Sequence, residues 1–344
     1  MPDKINFTAD LIDSRCLIDV RTPLEFEEDH LPGAFNVPLL TNEERVEIGT
    51  IHKQIGPVQA RRRALELTCG RYSTMVEQIL VHAAERPVLV YCWRGGLRSN
   101  SVVMLLKLCG AKAQQLIGGY KAYRHQVSAF FEECSFASRL MVLHGMTGIG
   151  KTSFINGLKS DAWATIDLEG IACHRGSAFG ALGLEQKNSQ KYFDTLLWET
   201  FRRLPADLPI VLEGESRRIG KYFLPGRLYD AMAESCKVWC HASIETRIAR
   251  LVVEYGRPEY QLPMLDALER IKKRLAGPRY GELKKSIESW DVENIARVLI
   301  VDYYDRMYYK QRTWQGALDL DFEDYARAEA QLKAFFDGGL GYPA

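Results

Sequence analysis

Two short stretches set reactive residue types at spacings that chemistry can use. The first is CWRGGLRS, 92–99, placed directly after the apolar run PVLV. Thiolate is the attacking form of cysteine, and nearby cations together with a helix N-terminus favour it. Here Cys92 closes a strand-like run, Gly95 and Gly96 follow, and five residues separate the cysteine from Arg98. Glycines let backbone N–H groups turn inward with no Cβ in the way. A helix starting near Arg98–Ser99 would add its positive end to the resulting anion cradle. Arg98 can grip an oxyanion through two parallel hydrogen bonds. A tight turn around an inert thiol would share the apolar approach, but it has no use for two arginines beside it.

The second stretch, GMTGIGKT at 145–152, follows the apolar run LMVL and fits G-x-x-x-x-G-K-[ST] between a strand and a helix. The backbone of Gly145, Thr147, Gly148 and Gly150 is expected to wrap a di- or triphosphate. Lys151 supplies charge, and the Thr152 hydroxyl is the expected ligand of a Mg²⁺ ion. The pattern selects phosphates rather than ATP in particular. Two acid-ended apolar runs could complete the site: ATIDLEG brings Asp167 and Glu169, and IVLEGES brings Glu213 and Glu215. Each pair could hold a magnesium-bound water or act as a base, or could simply cap a helix. HRGSAFG at 174–180 offers His174, Arg175 and Ser177 for an anion or ribose contact, and Arg217 could reach the same pocket.

The elements that must position these residues follow from periodicity. CLIDV (16–20), PVLVYC (87–92) and QQLIG (114–118) read as short buried strands, with SNSVVMLLKLCG as the helix between the last two. Residues from about 41 to 75 are charged and helix-prone, and read as an insertion. SAFFEECSFASR (128–139) has no clear period and reads as a linker. Beyond it, RLMVLHG, PIVLEGES and KVWCHAS read as strands, and QKYFDTLLWETFRRL and SIETRIARLVVEYG as helices; the remainder reads as mostly helical. Strands alternating with helices imply parallel sheets in both halves. The expected division is 1–130 and 139–344, each of α/β class.

Bulk properties narrow the partners. A chain of 344 residues exceeds the usual size of one core. Hydrophobic residues make up 47% and charged residues 26%, the balance of an ordinary soluble globular protein. No signal-peptide layout or membrane-length apolar run is visible, so a cytoplasmic protein with no membrane partner is expected. The eight cysteines include no CxxC pair, which argues against zinc. Cys16, Cys69, Cys109, Cys134, Cys173, Cys236 and Cys240 read as buried thiols. A net charge of +1 means that any nucleic acid must be met by local clusters, such as Lys272-Lys273-Arg274 or Lys284-Lys285.

LIDVRTPLEFEEDHLPGAFNVPLL and QQLIGGYKAYR resemble the opening and closing signatures of rhodanese domains, which carry sulfur or selenium on the loop cysteine. The Cys92–Arg98 spacing is also that of cysteine phosphatases. A common rhodanese loop is one residue shorter, and the longer cradle favours a chalcogen–phosphate over thiosulfate. Taken with GMTGIGKT, DLEGIACHRGSAFG, EGESRRIG and RYGELKKSIES, the text resembles the tRNA 2-selenouridine synthase family over nearly the whole chain. The resemblance implies a rhodanese-like parallel-sheet domain plus a P-loop NTPase-like α/β domain with a helical C-terminal region. It implies an enzyme that alkylates wobble 2-thiouridine of tRNA with geranyl diphosphate and then replaces the S-geranyl group with selenium from selenophosphate. No tightly bound cofactor is expected beyond Mg²⁺. Cys92 and Arg98 would serve the selenium step, and the phosphate loop would hold the diphosphate. The stripe Phe193, Leu196 and Leu197 is one candidate for the geranyl slot, with core packing as its alternative. Trp93 would either stack on a base or pack the loop, and residues 272–312 would face the tRNA. A rival reading is a small-molecule kinase carrying a regulatory or sulfur-carrying rhodanese module, because SIETRIARL resembles a kinase helix near the nucleotide base.

Overall fold

The computed structural model describes residues 3–136, 139–158, 161–186, 189–275, 277–308, 314 and 316–338. The chain forms two compact units: Met1–Glu133 with Asn188–Glu199, and Cys134–Lys187 with Thr200–Ala344.

The first unit is built on five strands: β1 (Lys4–Ile5), β2 (Cys16–Asp19), β3 (Phe35–Asn36), β4 (Val88–Tyr91) and β5 (Ala113–Leu116). They lie in the order β1-β5-β4-β2-β3, and every pairing is parallel. β2, β4 and β5 are buried along their whole length, as expected of a parallel sheet covered on both faces. Arg21, directly beyond β2, is fully buried. Its charge is met by Asp19 at 2.6 Å, the Asp29 carbonyl at 2.7 Å and the face of Tyr120, 3.9 Å from the ring centroid. Buried ions of this kind persist only when paired.

The insertion is helical, Asn42–Gln54 and Pro57–Thr68, and a third helix, Tyr72–Ala83, carries it past residue 75. Its start is fixed by a capping box in which Thr41 Oγ1 accepts from the Glu44 N–H and Glu44 accepts from the Thr41 N–H. Two expectations need correction. The stretch 128–139 is not all linker, because the helix Gly119–Glu133 runs through its first half. Tyr120, Tyr123, Val127 and Phe131 supply the period, which only the longer window reveals. The helix Gln190–Arg203, read as part of the second half, gives residues up to Glu199 to the first unit. Arg124 donates to Asp194 at 3.0 Å and to the Lys191 carbonyl at 2.8 Å, and Tyr123 Oη donates to Thr195 at 2.9 Å.

The second unit holds β6 (Leu140–Gly145), β7 (Ala164–Ile166), β8 (Ile210–Glu213), a small antiparallel hairpin of β9 (Arg218–Ile219) and β10 (Tyr222–Phe223), β11 (Cys236–His241) and β12 (Leu318–Asp321). The main sheet runs β12-β11-β6-β8-β7, all parallel. β12, LDLD, lies in a region read as mostly helical. Aspartates disfavour strands, and only Leu320 is fully buried. Helices Gln261–Ile271, Gly277–Glu288 and Val292–Val298 gather around Met264, Leu268, Leu283, Ile295 and Leu299. Tyr303 and Tyr304 are buried against that core, and Tyr304 also lines the cavity beside the glycine–lysine loop. Residues 309–312, also expected at the tRNA surface, lie outside the described residues.

Of the cysteines read as buried, Cys69, Cys109 and Cys173 are exposed, Cys134 and Cys236 are half-buried, and Cys16 and Cys240 are in the core. Among the described residues no helix is long and apolar enough to cross a membrane.

Candidate functional site

β4 delivers Cys92 to a loop that ends where the helix Leu97–Leu108 begins. The loop is clamped from the next helix: the Cys92 carbonyl accepts from Tyr120 N–H at 2.9 Å and the Trp93 carbonyl from Lys121 N–H at 3.0 Å. Gly119, at φ +59°, makes this approach possible, since a Cβ there would collide with the Cys92 carbonyl. Cys92 Sγ accepts from the Gly96 N–H at 3.3 Å and lies 3.2 Å from Ser99 Oγ. Gln115 Nε2, projecting from β5, donates to Ser99 Oγ and to the Gly96 carbonyl, each at 2.8 Å. Ser99 accepts from Gln115, and its own proton has two acceptors at 3.2 Å, the Gly96 carbonyl and the Cys92 sulfur. A thiolate here would have two donors.

The Arg98 guanidinium is already engaged by Glu25, at 2.8 Å. Burial raises the Glu25 carboxyl, but Arg98 outweighs it and leaves the group below the usual carboxylate range. An incoming oxyanion would therefore share Arg98 with Glu25, a partner that sequence spacing did not reveal. Trp93 is half-buried with its ring centroid 5.2 Å from that of Tyr120.

Hydrogen bonds to a charged group contribute about 1.5–3 kcal/mol. Ser99→Ala is thus expected to slow alkylation of Cys92 by iodoacetamide at neutral pH by about tenfold. Stopped-time alkylation followed by intact mass measures this, with Gln115→Leu giving a smaller drop. An unchanged rate in Ser99→Ala would remove the hydroxyl from the reactive geometry.

In the second unit β6 runs into the loop and the loop into the helix Lys151–Gly157. Donors from elsewhere hold the loop's carbonyls: Arg247 Nε at Thr147 O, 2.8 Å, Arg250 at Ile149 O, 2.6 Å, and Tyr325 Oη at Gly150 O, 3.0 Å. In a trans peptide the next N–H points the opposite way, so these contacts turn the N–H groups of Gly148, Gly150 and Lys151 away from the braces. Gly150 sits at φ +83° with the Tyr325 hydroxyl where a Cβ would stand. Arg247 is itself fixed by Asp305 at 2.6 and 3.0 Å. None of these three braces was legible from motif spacing.

Thr152 Oγ1 donates to Glu169 at 2.7 Å, and the Glu169 N–H donates to Glu213 at 2.8 Å. Burial pushes the Glu213 carboxyl well above the ordinary range. Glu215 is pushed up to about 8, by burial first and then by Glu169 beside it. Burial likewise raises Glu169, against the pull of Lys151. A carboxylate pair beside a threonine hydroxyl is an oxygen-rich, acid-strained corner that suits a hard cation. Among the described residues no group of three His, Cys, Asp or Glu side chains is arranged to hold a metal. A Mg²⁺ ion would accordingly draw on Thr152, Glu169 and the phosphates of its ligand.

The other expected residues divide. Arg175 and Ser177 line the same cavity as the loop, and Arg175 is paired with Glu254 at 2.5 Å. Asp167 caps the short helix Leu168–Ala172, accepting from Gly170 N–H at 2.6 Å and from Asn156 at 2.8 Å. His174, Glu213 and Arg217 are not in the cavity wall. His174 is buried with Nδ1 unpartnered, and burial, then Arg175, lower its pKa. The Arg217 carbonyl closes the β9–β10 hairpin by accepting from Leu224 N–H at 2.9 Å.

The cavity measures about 140 Å³. Its lining combines the loop with Lys151, Thr152, Glu169 and Glu215, the apolar side chains Leu251, Met264, Val292, Ile295, Ala296 and Leu299, and the polar groups Arg175, Glu254, Tyr255 and Tyr304. Phe193 and Leu197 are core residues, Leu196 is partly exposed, and none of the three lines this cavity. The pattern that could have found the apolar lining is Val292, Ile295 and Ala296, one helical face continued by Leu299.

A thiol cradle on one α/β unit and a phosphate loop on another define a rhodanese-like module fused to a P-loop module. Residues 6–126 match the rhodanese-like domain, and residues 138–319 match the tRNA 2-selenouridine synthase AAA domain. Curated relatives named tRNA 2-selenouridine synthase align along most of both chains. The protein of Cupriavidus pinatubonensis is 33% identical, covering 88% of this chain and 90% of its own. That of Pseudomonas syringae pv. syringae is 32% identical, covering 88% and 89%. That of Nitrosomonas europaea is 30% identical, covering 88% and 90%. The chain belongs to the tRNA 2-selenouridine synthase family.

Proposed function

We propose that this chain converts wobble 2-thiouridine of tRNA to 2-selenouridine in two transfers, with geranyl diphosphate and selenophosphate as donors. In the first, the thiocarbonyl sulfur forms a bond to the allylic carbon, the C–O bond breaks, diphosphate leaves with the electron pair, and the uracil N3 proton is lost. In the second, the selenium of selenophosphate adds at C2, the alkylated sulfur departs as the geranyl thiol, and water cleaves the P–Se bond so that phosphate leaves and the C2 selenocarbonyl remains. Alkylation is what makes the departure feasible, since a bare thiocarbonyl sulfur is a poor leaving group.

The observation that carries this reading is the cavity's mixed lining. Its phosphate loop and Lys151 suit a departing diphosphate, whose charge develops during reaction and is best met by donors already in place. Its apolar side chains suit a hydrocarbon. When bound, Mg²⁺ would add charge neutralisation at the diphosphate; the residues suited to hold it are Thr152 and Glu169.

Cys92 would guide selenium that stays at the selenide level throughout, with the Gly96 N–H and Ser99 beside its sulfur and Arg98 meeting the phosphate of the donor. Exposed basic side chains among Lys272, Lys273, Arg274, Lys284 and Lys285 are the proposed phosphate-backbone contacts. The test is nucleoside mass spectrometry of 2-thiouridine-bearing tRNA incubated with the protein, geranyl diphosphate and selenophosphate. S-geranyl-2-thiouridine followed by 2-selenouridine is expected. Formation of neither, with a phosphorylated small molecule and nucleoside diphosphate instead, would establish the kinase.

A further inference from the structure

We infer that Val292 and Ala296 set the length of hydrocarbon that the phosphate-loop cavity accepts. This rests on the diphosphate-donor reading above and adds to it the residues that discriminate one donor from the next.

Three lining residues, Val292, Ile295 and Ala296, stand at i, i+3 and i+4 on one face of the helix Val292–Val298, and Leu299 follows where the chain passes into a π-helical turn. The helix is anchored at its start by Asp291, which accepts from the Asn294 N–H at 3.1 Å. Its face is therefore a fixed wall rather than a loop that yields to its ligand. Packed beside it, Leu251 comes from the helix Ile244–Tyr255, the same helix whose Arg247 and Arg250 brace the phosphate loop. Both contributions to the apolar lining are thus tied to rigid elements.

Within that wall Ala296 is the smallest apolar side chain. It packs with Ile248 and Ile300, and Leu251 is packed against that cluster. A larger side chain at 296 has two places to go: into the helix contact, or into the cavity. Val292 stands at the other end of the stripe, partly exposed, with its Cγ1 about a van der Waals contact from the position a Cβ would take at Gly256. Bulk at 292 enters from the rim and leaves the core packing alone. The phosphate-holding residues lie on other elements, so bulk on this stripe should act on the tail of the donor and not on its head.

The measurement is a chain-length series, dimethylallyl, geranyl and farnesyl diphosphates, each offered with thiolated tRNA to wild type, Val292→Phe and Ala296→Phe. The product is the S-alkylated nucleoside, counted by mass spectrometry, and kcat/KM is taken for each donor. In wild type geranyl transfer is expected to dominate. In Val292→Phe the ratio of geranyl to dimethylallyl transfer is expected to fall at least tenfold, and Ala296→Phe should fall in the same direction. Should Ala296→Phe fail to fold, as judged by circular dichroism, Val292→Phe carries the test by itself. Equal losses for both donors in Val292→Phe, or an unaltered ratio, would overturn the assignment while leaving prenyl transfer standing. A wild-type protein that transfers no prenyl group from any of the three would overturn the assignment together with the reading beneath it.

Discussion

With Lys151 replaced by alanine, transfer of the geranyl group to thiolated tRNA is expected to fall by about 10²–10³-fold, the cost typical of deleting one preorganised donor at a developing oxyanion. The ammonium supplies a full positive charge, whereas the loop amides supply dipoles fixed by Arg247, Arg250 and Tyr325 through the neighbouring carbonyls. Removing Lys151 thus leaves the cradle's shape and takes away charge. Rate should fall more than affinity for inorganic diphosphate, because charge on the leaving group grows toward the transition state. Lys151 also lowers the buried Glu169 carboxyl, so the variant's Glu169 should hold a proton at higher pH than wild type's. Selenium insertion into tRNA supplied already S-geranylated should continue. Single-turnover assays on both substrates measure this, and undiminished prenyl transfer would detach the phosphate loop from the reaction.

Cys92→Ser is expected to give the opposite division. Selenium incorporation should drop by at least about 10³-fold, within the range seen when a covalent nucleophile is removed, and S-geranyl-2-thiouridine should accumulate. Serine occupies nearly the same space and keeps the Gly96 and Ser99 contacts, so the loop should survive and the loss should be chemical. An alkoxide is far harder to generate than a thiolate, even with two donors and a helix N-terminus nearby. The tRNA nucleoside profile reads both quantities in one experiment. Persistent 2-selenouridine at the wild-type rate would show that selenium travels past Cys92 without using it.

These two residues were legible because each sits in a short contiguous phrase whose local backbone does the work. CWRGGLRS and GMTGIGKT carry their own strand end, turn and helix start. Buried parallel strands such as β4 and β8 were legible for a related reason, since burial on both faces leaves uninterrupted apolar runs. What escaped notice was what distant chain brings to these phrases. Glu25 reaches Arg98 across 73 positions and Gln115 reaches Ser99 across 16, neither with any local mark. β12 escaped because an edge strand of alternating leucine and aspartate carries little apolar signal. The wall of the cavity escaped for a different reason. Val292, Ile295, Ala296 and Leu299 have the pattern of ordinary helix packing, and only the fold reveals that part of that face borders open space. The Phe193–Leu197 stripe, by the same ambiguity, drew attention without lining the cavity.

The brace from Tyr325 to the Gly150 carbonyl spans 175 positions, and β12 and Asp305 are late arrivals as well. On a ribosome adding roughly 5–20 residues per second, the glycine loop emerges about 10–35 s before its last support is synthesised. During that interval the nascent chain has a complete motif and an incomplete receptor. Fragments that stop after β11 should consequently capture diphosphate poorly although every residue of the signature is present.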